Sequence, residues 1–91
     1  MMNPVRRNIF EIVRDLLVLT DLQHGICSTR ISQKANLPPK TGKDIIEDLL
    51  KKGFLEAVPK KRKRGAQKYR TTQKGREYVI MFESLESFLK E

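Results

Sequence analysis

Apolar residues recur along this chain in blocks at helical spacing, broken by short polar stretches. In the first block Ile9, Ile12, Val13, Leu16 and Leu17 follow the i, i+3, i+4, i+7, i+8 pattern of one helix face. Asn3-Pro4 reads as its start, with an amide side chain to cap free N–H groups and a proline suited to the first helical position. Gly25 reads as its stop, so the spacing predicts a helix from Pro4 to Leu22. Ile26-Cys27 has room only for a brief edge strand. In "STRISQKANL", Ser28 or Thr29 is the expected cap of a short helix, with Ile31 and Ala35 inward and Leu37 as a plug behind it. Pro38-Pro39 forces a turn, because a residue before proline avoids the helical region. Pro39 then opens a third helix to about Lys52, with Gly42, Ile45, Ile46, Leu49 and Leu50 as its buried stripe and Gly53 as its end. A glycine inside a helix costs ~1 kcal/mol against alanine. Close approach of another helix backbone is the reason expected for Gly42.

Beyond Gly53 the period shortens to two. Phe54–Val58 ("FLEAV") and Gln67–Thr71 ("QKYRT") read as antiparallel strands joined by the long loop Pro59–Ala66. Thr72 is the expected N-cap of a last helix, Gln73 to about Lys90. There Tyr78, Phe82, Leu85 and Leu89 fall in the alternating four-three spacing of a helix-pairing seam, and Met81 and Phe88 widen it. Such a helix is ~27 Å long, more than a compact domain of this length needs. Part of its apolar surface is therefore expected to meet a second chain. The order α-β-α-α-β-β-α, taken as a single domain over residues 1–91, is that of an α+β winged helix-turn-helix with a C-terminal dimerisation helix at 73–90. The third helix is then the candidate reader of the major groove, and the hairpin is the wing.

Charge sharpens this picture. The chain carries a formal net charge of +8 on 91 residues, which points to an anionic partner. Of nineteen Lys and Arg residues, nine lie between Lys60 and Arg76 with no carboxylate among them: Lys60, Lys61, Arg62, Lys63, Arg64, Lys68, Arg70, Lys74 and Arg76. Taken alone, the block Lys60–Arg64 reads equally as a solvated loop or, in a eukaryotic chain, an import signal. Its place at a hairpin tip favours contact with the phosphates of double-stranded DNA, or insertion of a basic side chain into the minor groove, with binding that weakens steeply in salt. Lys68 and Arg70 continue that basic surface along the second strand. Lys40, Thr41 and Lys43, in the N-terminal part of the third helix, are candidates for base or phosphate contacts. Arg30 and Lys34, on the second helix, are candidates for phosphate. Asp44, Glu47 and Asp48 oppose phosphate. Glu47 is expected to pair with Lys51, whereas Asp44 either pairs with Lys40 or accepts from a cytosine amino group.

Other chemistries find little support. Cys27 stands alone, which excludes an internal disulfide and a multi-cysteine zinc site; it is a small buried residue or an intersubunit disulfide partner. His24 is expected to cap helix carbonyls. No nucleophile–base pair, glycine-rich phosphate loop or acidic metal cluster appears, so neither an enzyme nor a cofactor is expected. The sequence shows neither a membrane-spanning run nor a signal peptide, so a cytoplasmic, nucleoid-associated protein is expected. A small-molecule effector stays open.

Three segments carry a family resemblance: "TRISQKANL", "TGKDIIEDLLKKGFLE" and "KYRTTQKG". The last holds Tyr69, Thr72, Lys74 and Gly75 in the order Tyr-x-x-Thr-x-Lys-Gly. Over Pro4 to Phe88 the chain resembles archaeal winged-helix DNA-binding proteins, including the small ten-kilodalton chromatin-associated dimers. The resemblance implies a homodimer in which the last helix pairs antiparallel with its twin, through Tyr78, Met81, Phe82, Leu85, Phe88 and Leu89. That helix is shorter than in the long coiled-coil members, which leaves a share of the interface to the first helix. The motifs mark the fold well and the target poorly. A protein–protein module, using the apolar stripe and Glu83, Glu86 and Glu91, is the competing reading.

Overall fold

The computed structural model describes residues 8–60 and 65–90. In chain order it contains α1 (Ile9–Gln23), β1 (Ile26–Cys27), α2 (Ser28–Lys34), α3 (Pro39–Lys52), β2 (Leu55–Ala57), β3 (Lys68–Thr71) and α4 (Gln73–Lys90). This is the α+β winged helix-turn-helix order that the hydrophobic pattern predicts. The buried cluster draws on every apolar period before the wing: Val13, Leu16 and Leu17 from α1, Ile26, Ile31 and Ala35 around α2, and Ile46 and Leu49 from α3, closed by Leu55.

Local chemistry sets the element ends, and it corrects three expectations. Helix α1 begins at Ile9, not at Pro4. Asn8 is extended, its side chain accepts the Glu11 N–H at 2.9 Å, and the Glu11 carboxylate accepts the Asn8 N–H at 3.2 Å. This reciprocal capping box satisfies two N–H groups that a helix end otherwise leaves without partners. Asn3 and Pro4 lie outside the described residues. The helix ends where His24 turns left-handed (φ 53°), so His24 terminates it through its backbone. No hydrogen bond of its imidazole to helix carbonyls is found among the described residues. Neither Ser28 nor Thr29 caps α2. The cap position falls on Cys27, which gives no side-chain bond because β1 runs directly into the helix and Ser28 is already helical.

The helix-turn-helix is held by contact at Gly42. A Cβ there would lie 1.9 Å from Ser32 Oγ and 2.8 Å from Ser32 Cβ, so α2 crosses α3 at a distance only glycine allows. Gly53 takes the left-handed conformation (φ 82°) that ends α3. Its N–H donates to Leu50 O, and the Phe54 N–H donates to Leu49 O at 2.9 Å. Phe54 therefore belongs to the helix cap, and β2 starts one residue later than the alternation suggests.

Strand β3 is central in a three-stranded antiparallel sheet of order β1-β3-β2. Its register sets Leu55 opposite Thr71, Glu56 opposite Arg70 and Ala57 opposite Tyr69. Past the strand end, Val58 N–H still donates to Lys68 O at 2.8 Å, and the Gln67 side chain donates to Val58 O at 2.8 Å. Helix α4 then leaves the core. Gly75 is buried and Tyr78, Val79 and Phe82 are half-buried, whereas Met81, Leu85, Phe88 and Leu89 are 60–73% exposed. The molecule measures 49 × 31 × 21 Å, and the long dimension suits a projecting helix.

Candidate nucleic-acid interface

Alternation along β3 sorts its side chains. Thr71 is buried and its hydroxyl donates to Leu17 O at 2.7 Å; Tyr69 is half-buried against the core. Lys68 and Arg70 consequently point to the outer face and are exposed. Arg70 Nε is ion-paired with the carboxylate of Glu56, its partner in the register. Lys68 has no ion-pair partner among the described residues. Lys60 Nζ donates to Gly65 O at 2.9 Å and so ties the two ends of the wing loop together. Lys61, Arg62, Lys63 and Arg64 lie outside the described residues.

The other candidate contacts sit on the helix-turn-helix. Arg30 and Lys34 on α2, and Lys40, Thr41 and Lys43 on the first turns of α3, are all exposed. None of them is ion-paired among the described residues. The carboxylates of α3 differ from expectation. Asp48 pairs with Lys52 at 2.8 Å, whereas neither Glu47–Lys51 nor Lys40–Asp44 comes within ion-pair distance. Asp44, Asp48 and Lys52 are spaced by one helical turn and line a cleft with Ile9, Phe10 and Tyr78. Two carboxylates that looked adverse to phosphate thus border the start of α1, on the flank of α3.

The Tyr-x-x-Thr-x-Lys-Gly motif is a structural junction. Thr72 Oγ1 donates to Gly53 O at 2.6 Å and accepts the Gly75 N–H at 3.1 Å, so it caps α4 and ties it to the end of α3. Lys74 Nζ donates to Lys52 O at 2.7 Å and lies 5.0 Å from the centre of the Phe54 ring. A Cβ on Gly75 would lie 2.4 Å from Phe54 O. Tyr78 meets Phe54 edge-on at 5.4 Å and stacks with Phe82 at 6.4 Å, and Arg14 covers Phe82 at 4.9 Å. Burial lowers the pKa of Arg14, but its hydrogen bond with Asp15 and the charges of Asp15, Glu86 and Glu83 outweigh that and leave it raised. Burial raises that of Tyr78, with Arg14 opposing. Residues that the sequence reading missed are therefore Phe54 as the hub, Glu56 opposite Arg70, and Asp21, which pairs with Arg76 at 3.2 Å. The Phe54–Tyr78–Phe82 series was visible only as apolar spacing.

A profile of the winged helix-turn-helix family matches residues 6–90. The chain belongs to the winged helix-turn-helix family. No curated protein matches it by sequence. Among solved structures, this winged-helix chain is similar to smu.1704 from Streptococcus mutans, with 22% identity and a TM-score of 0.78 over 99% of this chain and 87% of that one. It is similar to Sso10a-2, a DNA-binding protein from Sulfolobus solfataricus, with 20% identity and a TM-score of 0.74 over 92% and 83%. It is also similar to a G34K mutant of MepR from S. aureus, with 15% identity and a TM-score of 0.75 over 87% of this chain. The winged-helix chain spans 59% of that MepR chain. At such identities the likeness is one of fold.

Proposed function

We propose that this winged-helix protein binds double-stranded DNA as a homodimer and acts as a transcription regulator or a chromatin-type binder. The outer face of the wing carries the reading: Lys68 and the Glu56-held Arg70 are exposed beside a tip whose sequence is Lys60-Lys61-Arg62-Lys63-Arg64. Lys40, Thr41 and Lys43 enter the major groove from the start of α3. Arg30 and Lys34 take phosphates from α2, and the wing follows the backbone or the minor groove. Support comes from the family and from the fold shared with Sso10a-2, which is described as DNA-binding and is archaeal.

Dimerisation rests on α4. Met81, Leu85, Phe88 and Leu89 form an exposed apolar stripe continuous with the half-buried Tyr78 and Phe82, and a second α4 covers it in the antiparallel sense. That same stripe favours the second reading, a protein–protein module. Fluorescence anisotropy with a random-sequence duplex across a salt series separates the two. Under the DNA reading the intact protein binds with a steep salt slope, and a variant with Lys60–Arg64 all changed to Gln stays folded and loses several units of it. Equal, weak binding by both proteins would instead support the module.

A further inference from the structure

Between Leu55 and Thr72 the chain carries one carboxylate, Glu56, and the hairpin register sets it opposite Arg70. The contact uses Arg70 Nε alone. A guanidinium has five N–H donors, four of them on the two Nη atoms. Those four have no partner among the described residues. Both side chains are about half exposed, at 51% and 47%, and pairs so exposed add little to stability. The pair therefore holds a side chain in place more than it holds the fold together.

We propose that Glu56 is a positioning residue for DNA: it fixes Arg70 by Nε and leaves the Nη donors free to grip a backbone phosphate. This rests on the DNA reading above. An arginine on a free stem must be ordered when it binds, at a cost in rotamer entropy. Glu56 restrains that stem in advance, and the planar fork then needs no further adjustment to meet phosphate oxygens. The carboxylate also places a negative charge near the phosphates. Position and charge therefore act in opposite directions, and substitution can separate them.

The experiment uses the full chain, a random-sequence duplex and anisotropy at several salt concentrations. E56Q keeps an oxygen acceptor for Nε and loses the charge; E56A loses both. Each is made with Arg70 present and with R70Q. With Arg70 present, E56Q is expected to bind about two- to tenfold tighter than E56A, the fold-change that corresponds to ordering one long side chain. With R70Q the two should bind alike, at melting temperatures matching the parent. Should E56A melt lower, E56T takes its place, since threonine suits a strand and cannot reach Nε. Equal binding of E56Q and E56A with Arg70 present overturns the proposal, as does a difference that persists with R70Q. Failure of the DNA reading itself shows separately, as absence of salt-dependent binding by the unsubstituted protein, and removes this role with it.

Discussion

Replacing Gly42 with alanine tests how the helix-turn-helix is set. The new Cβ would lie 1.9 Å from Ser32 Oγ, 2.8 Å from Ser32 Cβ and 3.5 Å from Ser32 Cα. The hydroxyl can rotate away, but Ser32 Cβ cannot move without shifting the α2 backbone. Alanine gains about 1 kcal/mol over glycine inside a helix, while overpacking of this kind costs about 1–3 kcal/mol. Because backbone must yield, the upper part of that range applies, and the net loss is about 1–2 kcal/mol. For a domain of this size that lowers Tm by roughly 4–15 °C. With Ser32→Gly in place, the nearest remaining atom is the residue 32 Cα at 3.5 Å, an ordinary contact. Gly42→Ala should then stabilise, by about 1 kcal/mol or roughly 4–8 °C. Thermal unfolding of the four proteins by circular dichroism reads the sign directly. If the substitution has the same sign in both backgrounds, the steric account of Gly42 is wrong.

Two further predictions concern the junction at Phe54. Thr72→Val removes both the cap of Gly75 N–H and the bond to Gly53 O; urea titration should show a loss of about 1 kcal/mol, toward 2 if both bonds count. Tyr78, with an ordinary value of 10.0, has its pKa raised in the fold chiefly by burial. Its contribution to stability is complete below the unfolded value and is lost as pH rises through the folded one. Urea midpoints should therefore fall above pH 10, and fall less steeply in Tyr78→Phe; parallel curves for the two proteins would refute the assignment.

The sequence is most legible where punctuation is local. Pro39, Gly53 and Thr72 are each sufficient to end or start an element, and α3 and α4 have the predicted bounds. At the start of α1 the deciding signal is Glu11 three residues after Asn8, a capping-box spacing that the reading from Asn3-Pro4 passed over. The outward placement of Lys68 and Arg70 follows from alternation alone. Glu56 opposite Arg70 does not, because a loop as long as Pro59–Ala66 leaves the hairpin register open. Nor could the Asp48–Lys52 pair be told from Glu47–Lys51 by spacing, since both are four apart; only the fold shows that Asp48 and Lys52 are the pair in contact and that both line the cleft beside Ile9 and Phe10.

Lys74 shows where charge counting overreaches. In sequence it belongs to a stretch from Lys60 to Arg76 that holds nine cations and no carboxylate. In the fold that stretch divides. At its root, Lys74 donates to Lys52 O and Arg76 pairs with Asp21, so both cations hold α4 to the rest of the domain. Nearer the tip, Lys68 and Arg70 face outward from β3. Given this division, Lys74→Met is expected to separate stability from DNA binding. It removes a hydrogen bond to the last turn of α3 and a cation over the Phe54 ring, each worth roughly 0.5–1.5 kcal/mol, so the urea midpoint should drop. Held in this way, Lys74 is expected to neutralise no phosphate, so the slope of log affinity against log salt should stay at the parent value while the protein is folded. A cation that met phosphate would instead take about 0.9 units of slope with it. A slope reduced by that amount with stability unchanged would place Lys74 on the DNA and return the whole run to the binding surface.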